Sequence, residues 1–476
     1  MSADFIVEAL ELGLLESSWF DGKTAGDGRF AVNNPASQKD VAWLPEQSTE
    51  EAERCVIAAA GAFETWAEVP ARQRSTLLRR WGDALLEHRE LLGQILSLEQ
   101  GKPLSEAIGE IDYSASYLHW FAEEAPRAYG DTIPAPDSSK QIMVIKQPVG
   151  VVGVITPWNF PMAMLARKAA AALAAGCTVV AKPAHETPLS AFALRALALV
   201  SGLPAGAFEL VVGTDSAAIG KVLTQHPAIA KFSFTGSTRV GRLLAQQCAS
   251  TVKRVSLELG GNAPFIVFDD ADLEAAVEGF MLAKFRNTGQ TCVCANRLLV
   301  DESVADKFIS LLQAKLSQLE VGPLIHPKAA ENLQQLVMRA VADGARICTE
   351  TKAVSGAWFA PVVVDNVAND SELAQSELFG PVVSIVRFAD EAEALYMAND
   401  TEYGLAAYVY TRDVGRCMRM GRKLQFGMVG INDAAISNAA APFGGMKQSG
   451  YGREGSKYGL DDYLETKYLS FGGLAQ

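Results

Sequence analysis

A thiol stands at Cys292 inside Lys284-Phe285-Arg286-Asn287-Thr288-Gly289-Gln290-Thr291-Cys292-Val293-Cys294-Ala295-Asn296-Arg297. The stretch joins a helical pattern from Leu273 to Phe285 to a β-rich run from Arg297 to Val300, so the thiol falls in a polar loop that a substrate can reach. A thiolate attacks carbonyl carbon readily and leaves an acyl group that water can cleave. Cys292 is therefore the candidate nucleophile, although most free cysteines are inert small core residues. Glu258 is the lone charge between Val255 and Val267, where a carboxylate is costly unless it is paired, protonated or working. Asn159, in Pro157-Trp158-Asn159-Phe160-Pro161, follows a strand pattern and precedes a helix, and spacing alone reads it as a loop cap. Cys294, two residues beyond Cys292, is close enough for a strained disulfide, though a packing role is the simpler reading.

The elements that position these groups alternate along the chain. Ser48 followed by Glu51 is a capping-box signal, and Ala52, Val56, Ala59, Phe63 and Trp66 recur at helical spacing, so a helix starts near residue 49. One helical pattern then runs through Leu77, Leu78, Trp81, Leu85, Ile95 and Leu96 to Gly101, and another through Ile111, Leu118 and Phe121; both read as packing helices without chemistry. From Gln141 onward β-rich runs appear, and strands predicted at 178–182, 208–212 and 231–235 are separated by helices at 162–175, 190–200, 217–224 and 237–248. The alternation resumes at Pro264-Phe265-Ile266-Val267-Phe268 and continues through strands at 382–388, 406–410 and 428–431. Repeated βαβ order with nearly continuous apolar strands implies parallel sheets covered on both faces.

Composition sets the outer limits. A chain of 476 residues is too long for one simple core, and 49% hydrophobic with 20% charged residues is ordinary for a folded soluble protein. A formal charge of −13 without a basic stripe argues against nucleic acid as a partner. The start, Met1-Ser2-Ala3-Asp4-Phe5, lacks an export signal's basic and apolar regions, so cytoplasmic residence is expected. Residues 147–166 carry no charge, yet Pro148, Gly150, Gly153, Pro157 and Pro161 would break a spanning helix, so no membrane segment is expected. Seven scattered cysteines suggest reduced thiols, and five histidines without ligand-like spacing predict no metal site.

Taken together, Thr156-Pro157-Trp158-Asn159-Phe160-Pro161, Val180-Ala181-Lys182-Pro183-Ala184, Phe234-Thr235-Gly236-Ser237-Thr238, Leu257-Glu258-Leu259-Gly260-Gly261-Asn262 and Glu377-Leu378-Phe379-Gly380-Pro381 resemble the aldehyde dehydrogenase superfamily, in order and along nearly the whole chain. Phe285-Arg286-Asn287 ahead of Gln290-Thr291-Cys292-Val293-Cys294 is similar to the succinate-semialdehyde dehydrogenases. The resemblance implies two doubly wound α/β domains plus a β-hairpin oligomerisation extension. Residues 1–128 and 148–258 would form the cofactor-binding domain, 259–436 the catalytic domain, and 129–147 with 437–476 the oligomerisation arm and C-terminal segment.

By the same resemblance Cys292 forms a thiohemiacetal and then a thioester, Asn159 stabilises the oxyanion, and Glu258 activates the hydrolytic water. Thr156, Pro157, Trp158, Lys182, Ala184, His185, Gly236, Ser237, Gly241, Leu259, Glu377 and Phe379 would bind the cofactor. Gly236 and Gly241 are five apart at a strand-to-helix junction, which frees backbone N–H groups for a pyrophosphate. NAD-preferring relatives commonly carry glutamate where this chain has His185, so NADP is favoured, with NAD possible. Lys182 ends a buried strand, where a cation calls for an anionic partner. Arg167, Arg286 and Ser437 would hold the far carboxylate of a small semialdehyde. Succinate semialdehyde is the expected substrate, glutarate semialdehyde or another ω-oxo acid the alternative, and a catalytically silent protein of the same fold the reading from a different class. A homotetramer is expected, with a dimer as alternative, built from the hairpin near 129–147 and from Tyr463, Leu464, Tyr468, Leu469 and Phe471, which would otherwise be exposed.

Departures from the pattern lie outside the chemical motifs. About a dozen residues are missing between Glu320 and Val321, and a Gly-Gly and a Pro-Thr pair are absent around 349–361, which points to altered surface packing more than altered mechanism. Gly450-Tyr451-Gly452-Arg453-Glu454-Gly455 matches G-x-G-x-x-G, but no strand leads into it and it reads as a loop.

Overall fold

A computed structural model describes residues 4–473. Two sheets dominate it. One has the order Gly450–Tyr451, Arg254–Glu258, Ile229–Thr235, Val151–Ile155, Thr178–Lys182, Phe208–Leu210, and is parallel except at the Gly450–Tyr451 edge. The other has the order Arg346–Ile347, Val362–Asp365, Val382–Phe388, Ala295–Asp301, Ala263–Val267, Ala406–Tyr410, Met428–Ile431, and is parallel except at the Arg346–Ile347 edge. Their central strands are buried on both faces, which is why they read as continuous apolar runs.

In the first sheet the chain runs outward from Val151–Ile155 to Thr178–Lys182 and Phe208–Leu210, then returns to the opposite side at Ile229–Thr235. Ligands of such sheets bind outside the carboxyl ends of the strands where the order reverses. Here that crevice lies beyond Ile155 and Thr235, where the Trp158-Asn159 and Gly236-Ser237 turns emerge.

Local chemistry explains the ends of the helices. Thr49–Trp66 begins at the predicted capping box, with Ser48 N–H donating to Glu51 Oε2 at 2.6 Å. Pro161–Ala175 starts on proline, whose missing N–H costs nothing there, and closes on Gly176 at φ 99°. All its side chains are buried, and its many alanines let it lie close to its neighbours without loss of rotamer freedom.

The single helical pattern expected up to Gly101 is two helices, Ala71–Glu87 and Arg89–Gln100. His88 departs from helical geometry at φ −102°, ψ 18°, and it ends one helix and starts the next. The apolar period continues across this break because both helices bury their stripes in the same core as Leu104–Glu124 and Pro161–Ala175.

The glycine-rich segment read as a loop is an edge strand: Gly450 and Tyr451 pair antiparallel with Glu258 and Leu257, and Phe443 bridges to Glu454. Part of the C-terminal segment thus completes the first sheet. Farther along the same segment Leu464–Gly472 joins a three-stranded sheet, in which it and Asp131–Ile133 flank Lys140–Pro148. Tyr463 and Leu464, expected at an exterior surface, are buried in the chain's own core, whereas Tyr468 and Phe471 are exposed. No described helix is long and apolar enough to cross a membrane.

Candidate active site

Cys292 occupies a loop held in costly backbone geometry. Asn287, Thr288 and Gly289 take positive φ values of 50°, 58° and 79°, and a β-branched residue seldom does so. Each has a restraint. Asn287 N–H donates to Glu106 Oε2 at 2.6 Å and Thr288 Oγ1 donates to the Gly322 carbonyl at 3.1 Å. A Cβ on Gly289 would stand 2.4 Å from the Gly380 carbonyl oxygen, so only glycine fits. Gln290 is fixed by the stretch Val321-Gly322-Pro323-Leu324-Ile325: its Nε2 donates to Pro323 O at 3.3 Å and its Oε1 accepts from Ile325 N–H at 2.9 Å. The stretch just after Glu320, where the family pattern implies a shortened connection bearing on surface packing more than on mechanism, thus touches the catalytic loop directly.

A cavity of roughly 360 Å³ opens on the Cys292 thiol. Pro157, Trp158, Asn159, Gly236, Ser237, Leu259, Glu377 and Phe379 line it, so four of the five separated motifs converge on one space and the motif at 180–184 stays outside its lining. Trp158 and Phe379 meet edge to face at 5.6 Å. Protein packed around the thiol pushes its pKa up to about 12, with Arg167 opposing the rise and Glu258 adding to it. Asn159 Nδ2 donates to the Gln290 carbonyl at 3.0 Å, which ties this amide to the nucleophile loop and leaves its second N–H uncommitted.

Glu258 ends its strand fully enclosed, and both its carboxylate oxygens are buried without a hydrogen-bond partner. Burial foremost, then the Glu454 carboxylate, hold its pKa well above the usual range, against Arg167 and Lys168. Glu377 Oε1 accepts from Gly261 N–H at 2.9 Å, and burial lifts its carboxyl to about 7. A Cβ on Gly261 would stand 2.3 Å from the Cys292 carbonyl oxygen, so this turn presses against the nucleophile's own backbone.

The cradle fits a nicotinamide dinucleotide. Ser237 caps the helix Thr238–Ala249, accepting from Val240 N–H at 3.4 Å, and a Cβ on Gly236 or Gly241 would collide with Phe234 or Leu259. The Thr156 and Thr235 hydroxyls are buried without partners around the same crevice. Lys182 is nearly fully buried, with its pKa lowered by that burial and raised in part by Glu186 and Glu46, the anions its position called for. His185 is half-buried beyond Ala184, with Nδ1 3.4 Å from Glu186 Oε2, and His326 reaches the other Glu186 oxygen at 3.6 Å.

The three residues expected at the far end of the substrate are divided. Arg286 and Ser437 share a smaller cavity of about 170 Å³ with Thr291, Val293 and Tyr408. Arg286 lies over Phe160 at 4.7 Å and Tyr113 at 5.7 Å. Arg167 is outside both linings, ion-paired with Glu454 and 4.2 Å over Phe443. It faces Tyr117, whose hydroxyl is 2.7 Å from that of Tyr113, so the two guanidiniums border one aromatic wall. Arg167 is therefore neutralised by a carboxylate and not free as expected, although its Nη1 has no hydrogen-bond partner. Cys294 is buried and receives Lys284 Nζ at 3.4 Å.

The helix Leu104–Glu124, read as mere packing, contributes Glu106, Glu110, Tyr113 and Tyr117, and the presumed loop contributes Glu454. One signal marked Glu110: it shares the buried stripe of Ala107, Ser114 and Leu118, where a charge is out of place.

The aldehyde dehydrogenase family profile matches residues 19–469. The chain belongs to the aldehyde dehydrogenase family. A 3-sulfolactaldehyde dehydrogenase of Pseudomonas putida is 51% identical, the match covering 97% of this chain and 98% of that one. The NADP(+)-dependent succinate-semialdehyde dehydrogenase of Escherichia coli strain K12 is 50% identical over 96% of this chain and 97% of its own. The crystal structure of succinate-semialdehyde dehydrogenase from Burkholderia pseudomallei has a TM-score of 0.93 at 49% identity, covering 97% of this chain and 98% of that one. As an aldehyde dehydrogenase the chain thus has relatives of differing substrate at nearly equal identity, and the substrate must be argued from the site.

Proposed function

We propose that this aldehyde dehydrogenase oxidises a small aldehyde bearing an anionic far end, succinate semialdehyde foremost, with NADP favoured as coenzyme. The observation that carries this reading is the placing of Arg286 and Ser437 in a cavity bounded by Thr291 and Val293, the immediate neighbours of Cys292. A guanidinium against one wall and a thiol at the loop suit a short chain with aldehyde and carboxylate at opposite ends.

Cys292 passes its thiol proton to water or to the Glu258 carboxylate, and Sγ bonds to the aldehyde carbon as the carbonyl π pair moves onto oxygen, where the free Asn159 N–H and the Cys292 backbone N–H receive the charge. When bound, a nicotinamide coenzyme supplies the acceptor for the two electrons that leave the carbon. The thioester remaining on Cys292 is cleaved by water whose proton Glu258 takes; the C–S bond breaks and the sulfur recovers a proton. Removing the Asn159 donor should cost about 3 kcal/mol of transition-state stabilisation.

A second reading rests on the 3-sulfolactaldehyde dehydrogenase relative, because a sulfo group also carries the negative charge that Arg286 would meet. Glutarate semialdehyde differs from succinate semialdehyde by one methylene, worth only about 1 to 3 kcal/mol in a pocket. The deciding experiment is a kcat/KM panel of C3 to C6 semialdehydes and 3-sulfolactaldehyde with each coenzyme. Succinate semialdehyde with NADP should rank first; a higher value for the sulfonate transfers the assignment, and a neutral aldehyde at the top removes the anionic subsite. His185→Glu should shift the coenzyme ratio toward NAD by placing a carboxylate against the 2′-phosphate. An unchanged ratio would dismiss residue 185 as the discriminator.

A further inference from the structure

Lys102 and Glu110 form an ion pair with no exposed side-chain surface, Nζ standing 2.6 Å from Oε2. Such a pair gains little stability over apolar side chains of similar size, because the attraction barely repays the desolvation of two charges. Its worth here is geometric. Glu110 Oε1 accepts from Met162 N–H at 3.0 Å and Ala163 N–H at 3.2 Å, two of the otherwise unpaired donors at the start of the helix Pro161–Ala175. Lys102 Nζ donates to the Asn159 carbonyl at 2.9 Å and rests 4.0 Å over the Phe160 ring. Asn287 Nδ2 donates to the same Asn159 carbonyl at 2.9 Å, so the link reaches the strained turn ahead of Cys292. Asn159, Phe160 and the first turn of the helix are thus gripped by one charge pair, Glu110 from the helix Leu104–Glu124 and Lys102 from the segment before it.

We propose that Lys102 and Glu110 are positioning residues for the oxyanion donor, fixing the Asn159 backbone so that its uncommitted N–H faces the carbon attacked by Cys292. The inference rests on reading Asn159 as that donor. Misplacement of a reacting group by an ångström costs rate on the order of a hundredfold while leaving bulk binding intact. The pair's effect belongs in the rate of the chemical step and not in KM.

The test is a double-mutant cycle read by the pre-steady-state burst of reduced coenzyme with succinate semialdehyde. Lys102→Met and Glu110→Gln are made singly and on an Asn159→Ala background. Each single variant should slow the burst ten- to a hundredfold, with aldehyde KM within threefold of wild type and an unchanged rate of Cys292 alkylation by iodoacetamide. On the Asn159→Ala background the same changes should cost less than twofold, because the group they position is gone. Glu110→Gln keeps the size and one acceptor, so it decides the matter if Lys102→Met fails to fold. Losses that multiply with that of Asn159→Ala, or single variants bursting at the wild-type rate, overturn the positioning role alone. A wild-type burst in Asn159→Ala overturns the donor assignment and the positioning role together.

Discussion

At the scale of single residues the site stores its reactivity in the wrong protonation states for turnover at low pH. Cys292 has its pKa pushed up to about 12, and Glu258 is held well above the usual carboxylate range by burial and by Glu454. A pKa of about 12 leaves the Cys292 thiol protonated at neutral pH, and the upward shift of Glu258 works in the same direction; each group becomes useful as its proton departs, so turnover should rise with pH through the neutral range. Alkylation of Cys292 by iodoacetamide should climb about tenfold per pH unit from pH 7 to 10, as expected below a thiol pKa; a plateau by pH 8 would show a thiolate already formed. Glu258→Gln cannot take the proton from water. It should release one equivalent of reduced coenzyme per site and then stall as acyl-enzyme, seen as a mass increase on Cys292. Steady turnover within twofold of wild type would assign the base elsewhere.

At the scale of elements, two helices that look like scaffolding reach across to finish others. Glu110 caps Pro161–Ala175, and Glu99 accepts from Leu189 N–H at 2.6 Å and Ser190 N–H at 2.9 Å at the start of Leu189–Val200. Burial lifts the Glu99 carboxyl to about 8, against those N–H groups, which favour its charged form. The unfolded chain releases this proton near the ordinary glutamate value, about 4.3, whereas the folded chain keeps it until about 8. The native state therefore binds more protons across that window, and this residue's contribution to stability is present at low pH and lost as pH rises through it. Glu99→Gln, which cannot titrate, should gain stability relative to wild type between pH 5 and pH 8 in urea unfolding. A constant difference between the two would place the carboxyl's pKa near its ordinary value. Such residues also mark what sequence reading could reach. The strand-end motifs were legible because a strand, a turn and a helix leave local signatures, and the edges at 178–182, 382–388, 406–410 and 428–431 match the strands found. Lys102, Glu106 and Glu454 were not, because the groups they meet lie far along the chain: Lys102 reaches the Asn159 carbonyl, Glu106 the Asn287 N–H, and Glu454 the Arg167 and Lys168 side chains; Glu110 left only the trace of a charge on a buried stripe, which names no partner. The break at His88 escaped for a related reason: apolar spacing reports which face is buried and says nothing of whether the axis bends.

At the scale of the whole molecule, the C-terminal strand joins the site to an unpartnered surface. Glu454 pairs with Arg167 and Lys168 beside Glu258, and only nine residues later Tyr463 O accepts from Val149 N–H at 3.1 Å as the chain enters the three-stranded sheet. That sheet presents Tyr468, Phe471 and Ile133 to solvent, and an exposed apolar sheet of this kind invites a second chain. We propose that it carries the subunit contact of a homotetramer, with a dimer as the simpler assembly. Sedimentation equilibrium should return about four times the 50.9 kDa chain mass. Tyr468→Asp with Phe471→Asp would bury two unpaired carboxylates at the contact, each costing several kcal/mol after relaxation, and should shift the mass toward smaller species. Because the strand's inner end is anchored by buried Tyr463 and Leu464, the variant should keep its fold and its Cys292 alkylation rate while losing assembly. An unchanged mass in that variant would locate the contact on another face, and a wild-type protein sedimenting as a monomer would remove the need for one.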